Sequence, residues 1–347
     1  MLTIAVLALA TTGVAAAPDT GTLERIKVPG PSLQGNLEGD DPNRDVVVYL
    51  PPGYAKQAPR RYPVIYYLHG YLAHAENYVS TLGVPGSIDR AIAGGAKQMI
   101  VVFPDAYTVY SGSMFSNSPT TGDWEAFIAV DLVSYVDKHY RTVRARASRG
   151  LAGHSMGGYG TLRIGMKYPQ VFGALYAASS CCVMNSAPAT GPATPGAGGP
   201  SGPAPQPAAG GPPGAGPAAA AGAGAAFANA LKAQAAAWAP DPQNAPDYFD
   251  LPATAGDRAA LVAARWPANS PLVMASQYVP ALRRYNGAIK MDVGDKDTLG
   301  AGTTPLDAEL TRLGVKHIYE MYDGDHMNRI PQRFADKVLP FFSGVLK

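Results

Sequence analysis

Gly153-His154-Ser155-Met156-Gly157 follows the run Arg149-Gly150-Leu151-Ala152 and leads into a helix-like stretch from Gly158 onward. Strand, G-x-S-x-G, helix is the context that defines a nucleophile elbow. The requirement is steric: a sharp strand-to-helix turn forces its central residue into strained backbone angles, and only small residues two before and two after let the chain pass closely. Gly153 and Gly157 meet that need. Ser155 would then project its hydroxyl above the sheet, with a helix N-terminus behind it that favours negative charge. A glycine-rich turn that happens to hold a serine would read the same over five residues, so the partners elsewhere in the chain decide the matter.

From Asp45 the chain alternates strand and helix signals. Asp45 to Leu50, Pro63 to Leu68 and Met99 to Phe103 are β-branched and aromatic runs, and the first stops at Pro51-Pro52-Gly53. Trp124 to His139 has helical periodicity, punctuated at its start by Thr121-Gly122-Asp123. The elbow strand comes next, then strands at Phe172 to Ala178, Ala288 to Val293 and His317 to Met321, then a closing amphipathic helix from Pro331 to Leu346. The pattern predicts an α/β fold, a mainly parallel central sheet with helices on both faces. Ligands on such a sheet bind at the carboxyl ends of its strands.

The elbow resembles that of α/β-hydrolases, in which the serine nucleophile is followed in chain order by an acid and then a histidine. Only His317 and His326 lie beyond the acidic cluster Asp292 to Asp297. His317 opens its strand and so falls at the amino edge, whereas His326 lies in the loop after the same strand and is the candidate base. Asp292 is inside its strand; Gly294-Asp295-Lys296-Asp297 forms the turn beyond it. Asp297 is the candidate acid, with Asp295 as the competing choice and Asp325 directed away from the site. An oxyanion hole needs two backbone amides. Met156, directly after the nucleophile, supplies one, and the loop after Tyr67-Leu68-His69-Gly70 offers the Tyr71 amide as the other. Gly70 lets the backbone approach the substrate closely. His69 is read as a structural residue that holds this loop.

The 347 residues carry a net charge of +2 and are 47% hydrophobic. That is enough for a single large core, and it gives no field for nucleic acid or an anionic membrane. Met1 to Ala17, an apolar stretch ending in small residues, reads as a secretory signal cut after Ala16, although it lacks basic residues at its start. Residues 18–347 are expected to form one domain, secreted or periplasmic, with no membrane insertion after the signal is cut. Cys181 and Cys182 are adjacent, could close only a strained vicinal disulfide, and read as two small thiols. In residues 186–226 all but Ser186, Thr190, Thr194, Ser201 and Gln206 are Ala, Gly or Pro, a composition expected to be a disordered insert. Residues 227–284, with Trp238, Tyr248, Phe249 and Trp266, are expected to form a helical cap whose aromatics pack rather than touch substrate. The scattered histidines make no metal-ligand set, and neither metal nor organic cofactor is expected.

Val48-Tyr49-Leu50-Pro51-Pro52-Gly53-Tyr54, Tyr62-Pro63-Val64-Ile65-Tyr66-Tyr67-Leu68-His69-Gly70, Val101-Val102-Phe103-Pro104-Asp105 and Gly153 to Gly160 together resemble the esterase D family. That family includes feruloyl and acetylxylan esterases, S-formylglutathione hydrolases, enterochelin-type esterases and the antigen 85 mycolyltransferases. The resemblance spans about residues 44 to 180 and 287 to 345. It implies an α/β-hydrolase fold, a Ser155-Asp297-His326 triad, an oxyanion hole at Tyr71 and Met156, and a substrate side within Tyr107 to Ser118, at Ser113, Met114 and Phe115. It also implies hydrolysis of a small-molecule or carbohydrate-linked ester. Two alternatives share the scaffold: acyl transfer to an alcohol, as in the mycolyltransferase branch, and a non-catalytic binding protein. Gly324-Asp325-His326-Met327-Asn328 departs from the family's common Gly-Gly-His-Asp-Trp, and the insert and cap have no counterpart in it.

Overall fold

The computed structural model describes residues 20–185 and 217–347. An eight-stranded sheet runs through the molecule. Its members are β1 (Thr22–Pro29), β2 (Asn43–Leu50), β3 (Val64–Leu68), β4 (Ile100–Pro104), β7 (Arg149–His154), β8 (Ala174–Ala178), β9 (Ile289–Gly294) and β10 (Ile318–Tyr322). The spatial order is β1-β2-β4-β3-β7-β8-β9-β10. Pairings β1 to β2 and β2 to β4 are antiparallel, and all others are parallel. A separate two-stranded ribbon joins β5 (Asn117–Ser118) to β6 (Gly122–Asp123).

Alternation along the strands divides the core. Val46, Val48, Val64, Tyr66, Leu68, Val102 and Leu151 face one layer; Val47, Tyr49, Ile65, Tyr67, Val101 and Phe103 face the other. Because β3 lies mid-sheet, both of its faces are covered, and all five of its residues are buried. This is why Val-Ile-Tyr-Tyr-Leu is continuously apolar rather than alternating. The first layer holds the helix Trp124–Ala126 (α2), which runs through a π-helical stretch Phe127–Leu132 into Val133–His139 (α3), and the helix Met156–Lys167 (α4). The second holds α1 (Val84–Ala93) and the closing helix, which is Ile330–Arg333 (α10), a π-helical Phe334–Val338 and Leu339–Val345 (α11).

Residues 1–17, expected to be a signal, lie outside the described residues, as do residues 186–216 of the expected insert. Helix α5 (Pro217–Trp238) starts inside the range expected to be unstructured. Ala-rich sequence has high helix propensity, and that outweighs the scattered glycines once a buried C-terminal half anchors the helix. Ala233, Ala235, Ala236 and Trp238 are that anchor. Beyond it come α6 (Ala259–Ala268), α7 (Pro271–Gln277) and α8 (Val279–Arg283). Trp238 and Trp266 pack edge to face, 5.3 Å between centroids, and Trp238 lies 5.7 Å from the ring of Tyr159 on α4. Their burial, with that of Phe249, makes them packing residues, and Tyr248 is only half-buried. Helix α9 (Thr303–Arg312) fills the connection between β9 and β10.

Candidate active site

The loops after β3, β7, β8, β9 and β10 converge at the carboxyl edge of the sheet. Ser155 sits between β7 and α4 at φ 58°, ψ −118°. A non-glycine residue in this region is costly, and such strain persists only where the surroundings dictate it. Here the dictating contacts are backbone to backbone: a Cβ on Gly153 would overlap the Gly157 carbonyl, and one on Gly157 would overlap the Leu68 carbonyl at the end of β3. The turn is further held by the Ser155 amide on the Ala178 carbonyl (3.0 Å) and by the amides of Tyr159 (3.0 Å) and Cys181 (3.2 Å) on the Ser155 carbonyl.

His326, in the loop after β10, places Nε2 2.8 Å from Ser155 Oγ and Nδ1 2.9 Å from each carboxylate oxygen of Asp297. The Asp297 side chain is fully buried, and its Oδ1 also accepts the Gly300 amide at 2.9 Å. Burial alone would raise its pKa. The His326 hydrogen bond and charge, the Gly300 amide and the Ser179 hydroxyl outweigh burial and hold the carboxyl below its ordinary range,. Asp295 is exposed and caps the Gly324 amide at 3.0 Å instead. Asp325 accepts the Met327 and Asn328 amides, both at 2.8 Å, and so shapes the turn that presents His326. His317 lies at the opposite edge, paired with Asp307 at 2.8 Å.

On the other side of Ser155, a Cβ on Gly70 would come within 3.3 Å of Ser155 Cβ. His69 Nε2 accepts the Ala106 amide (2.8 Å), so Nδ1 carries the hydrogen and donates to the Gly70 carbonyl (2.8 Å). A trans peptide points its N–H opposite its C=O. Pinning the Gly70 carbonyl therefore turns the Tyr71 N–H the other way. Among the described residues, neither the Tyr71 amide nor the Met156 amide at the start of α4 donates to a protein acceptor. Burial lowers the pKa of His69, with Asp105 acting in the opposite sense. Asp105 ties the loops after β3 and β4 by accepting the Ala75 and Tyr107 amides (3.2 and 2.9 Å) and His74 Nδ1 (2.9 Å).

Ser113, Met114 and Phe115 are 0%, 2% and 0% exposed. They face the core beneath the site, where Phe115 fills the space left by Gly160 on α4. Met114 and Phe115 have φ of 52° and 43°, an unusual pair of turns that seats this segment under the nucleophile helix. Leu72, Met184, Leu299 and Met327, each in a loop after a different strand, are 52%, 49%, 53% and 49% exposed. Cys181 and Cys182 are free thiols with sulfurs 2.8 Å apart. Among the described residues no cluster of three or more His, Cys, Asp or Glu could hold a metal, and no helix is long and apolar enough to cross a membrane.

Two residues that the motif reading left without a role are placed directly against the site. His154, the second residue of the G-x-S-x-G stretch, and Tyr78, in the π-helical turn Asn77–Thr81, are hydrogen-bonded to each other at 2.7 Å. His154 Nε2 reaches the main-chain carbonyl of His326 at 2.7 Å.

A mainly parallel, eight-stranded sheet with a serine on a strained turn after a central strand and a histidine after the last strand is an α/β-hydrolase. A family model described as "Putative esterase" matches residues 41–329, and the chain belongs to that family. An endo-1,4-beta-xylanase/feruloyl esterase of Xylanibacter ruminicola is 36% identical over 135 residues, which cover 36% of this chain and 18% of that protein. An esterase of Mycobacterium tuberculosis is 31% identical over 127 residues, covering 36% of this chain and 26% of the other. The matches thus span about a fifth to a quarter of these relatives' lengths. The fold is shared with a ferulic acid esterase (TM-score 0.64, 19% identity, 94% of this chain and 99% of that one). It is also shared with an S-formylglutathione hydrolase from Agrobacterium tumefaciens (TM-score 0.57, 16% identity, 95% and 98%).

Proposed function

We propose that this chain is a serine carboxyl-ester hydrolase working through an acyl-enzyme on Ser155. The observation that carries the reading is the unbroken run of hydrogen bonds Ser155 Oγ to His326 Nε2 (2.8 Å) and His326 Nδ1 to Asp297 (2.9 Å), with the nucleophile held at φ 58°. In the first half-reaction Ser155 Oγ attacks the ester carbonyl carbon as its proton passes to His326 Nε2. Asp297, kept ionised, holds the Nδ1–H tautomer and stabilises the imidazolium. The carbonyl oxygen gains the negative charge and takes hydrogen bonds from the Tyr71 and Met156 amides, each worth roughly 100-fold or more in rate. Collapse expels the alcohol, which takes the proton from His326. Water then repeats the sequence on the acyl-enzyme, releasing the acid and free Ser155.

The substrate class favoured is a feruloyl or acetyl ester, small or carbohydrate-linked. Similarity to a xylanase/feruloyl esterase supports this. The stretch Met1 to Ala17 supports export, and residues 227–284 are read as a cap on a single domain. The test is turnover of p-nitrophenyl esters, acetyl through octanoyl, and of methyl ferulate, by wild type and Ser155→Ala. Wild-type turnover that falls on the order of 10⁴- to 10⁶-fold in the variant is expected. Equal rates in the two proteins, or no fluorophosphonate labelling of folded wild type, would rule the mechanism out.

A further inference from the structure

His154 is 2% exposed and makes two short hydrogen bonds, yet the ester chemistry above does not use it. The Gly70 amide can only donate, so at 3.0 Å from the Tyr78 hydroxyl it makes that oxygen an acceptor,. The single hydroxyl hydrogen of Tyr78 is then left for His154 Nδ1, 2.7 Å away. An imidazole whose Nδ1 accepts carries its hydrogen on Nε2, and His154 Nε2–H donates to the His326 carbonyl at 2.7 Å. The chain runs one way, from the amide beside Tyr71, through two buried side chains, to the main chain of the candidate base. Hydrogen bonds in such a line polarise and strengthen one another.

The charge state fits this direction. Burial, then the neighbouring His326 ring 4.7 Å away, lower the His154 pKa to about 3, against smaller opposing effects from the His326 carbonyl and Asp297. A protonated His154 would turn an Nδ1–H toward a Tyr78 oxygen that already accepts from Gly70, and would leave the Tyr78 hydrogen without a partner in a buried site. The groups facing His154 are Tyr78, His326 and Asp297, and none supplies a counter-charge close enough to reverse this.

We propose that His154 is a positioning residue for the ester hydrolysis, with Tyr78 setting its tautomer. Together they tie the oxyanion loop at Gly70 to the loop carrying His326, so that Nε2 of His326 stays over Ser155 Oγ when the imidazolium forms. The proposal rests on the serine-esterase reading for its kinetic consequence, but not for its tautomer.

The test compares wild type, His154→Leu, His154→Gln and Tyr78→Phe on the best substrate of the p-nitrophenyl series, at a temperature where all are folded. His154→Leu keeps the volume and loses both bonds; its kcat is expected to fall about 10- to 100-fold with KM within about threefold. A glutamine amide can still donate to the His326 carbonyl, so His154→Gln should recover most of that loss and keeps the test open if the leucine variant does not fold. Tyr78→Phe is expected to fall between them. Wild-type kcat in His154→Leu, or equal losses in the leucine and glutamine variants, would overturn the proposal. An independent readout is the ¹⁵N spectrum of the imidazoles in folded wild type: His154 should remain the neutral Nε2–H tautomer from about pH 4 to 8 and should lose that fixed state in Tyr78→Phe. An Nδ1–H tautomer or a titrating His154 would refute the positioning role even if no ester is turned over, whereas failure of ester turnover with the expected spectrum would sink only the enzymatic reading.

Discussion

Asp292 and Asp297 are both buried, one at the heart of β9 and the other in the loop that follows it, yet their surroundings drive them in opposite directions. Asp292 accepts the Tyr176 hydroxyl at 2.5 Å and Arg333 Nε at 2.7 Å; Arg333 is shared with Glu320, which also takes Lys290 and Lys337. Burial nevertheless raises the Asp292 pKa, and Arg333, Tyr176 and Lys290 only partly offset it. Asp297 ends below its ordinary range because His326, the Gly300 amide and Ser179 outweigh burial. The difference teaches that burial alone does not set a carboxylate's charge state: the partners do, and only Asp297 has partners that outweigh burial. The Asp292 cluster pins β8, β9 and β10 to the closing helix, and the Asp297 pair points at Ser155.

The largest expected contrast is in rate. Asp297→Asn should lower kcat on the order of 10⁴-fold by releasing the His326 tautomer, with folding little changed; retention of activity in a steady-state assay would erase the distinction between the two aspartates. Next is stability. Arg333→Met leaves Asp292 without its cation and should cost about 3 kcal/mol in urea unfolding, while kcat of the folded protein stays within a few-fold.

A third contrast is the pH dependence of unfolding, whose sign differs between the two sites. Between the folded and unfolded pKa of Asp297 the unfolded chain binds more protons. Its contribution is therefore complete above about pH 4 and is lost as pH falls through the lowered folded value. For Asp292 the native state binds more protons, so its contribution is present below about pH 4 and is lost as pH rises toward the raised folded value. Asp297→Asn should flatten the acid-side loss of stability and Asp292→Asn should steepen the net rise with pH, as read from melting temperatures across the acid range. The smallest effect is at the turn. Asp295→Ala removes only the cap on Gly324 and should change kcat by about twofold, since caps of this kind are worth roughly 1 kcal/mol of local order; a loss as large as that of Asp297→Asn would exchange the roles of the two acids.

The first half of the sheet was legible because β2, β3 and β4 are rich in Val, Ile and aromatic residues and their loops carry Gly and Pro, and β7 because it leads into the G-x-S-x-G stretch. β1 was not: Glu24, Arg25 and Lys27 interrupt an edge strand that is largely solvated, so its apolar signal is thin. The elbow, His326 and the acidic turn could be read from chain order, but Asp295 and Asp297 occupy the same turn and only the direction of the side chains separates them. Ser113, Met114 and Phe115 came from family likeness, which locates a segment without saying which way its side chains face; here they face inward. His154 and Tyr78 lay beyond reach for another reason. Their contacts join residues 76 and 172 positions apart, and no local pattern encodes which loop will arrive opposite.

The contact of Gly157 with the Leu68 carbonyl leaves no room for a side chain, although neither residue performs chemistry. In a saturation library, positions 153 and 157 would therefore read as intolerant as the nucleophile itself, and substitutions there would report a broken backbone junction rather than a lost function. Leu72, Met184, Leu299 and Met327, in four separate loops that follow strands of the sheet, are each about half exposed. Diversity is better tolerated at those four exposed positions, with the two glycines held constant as the hinge pin on which every folded variant depends.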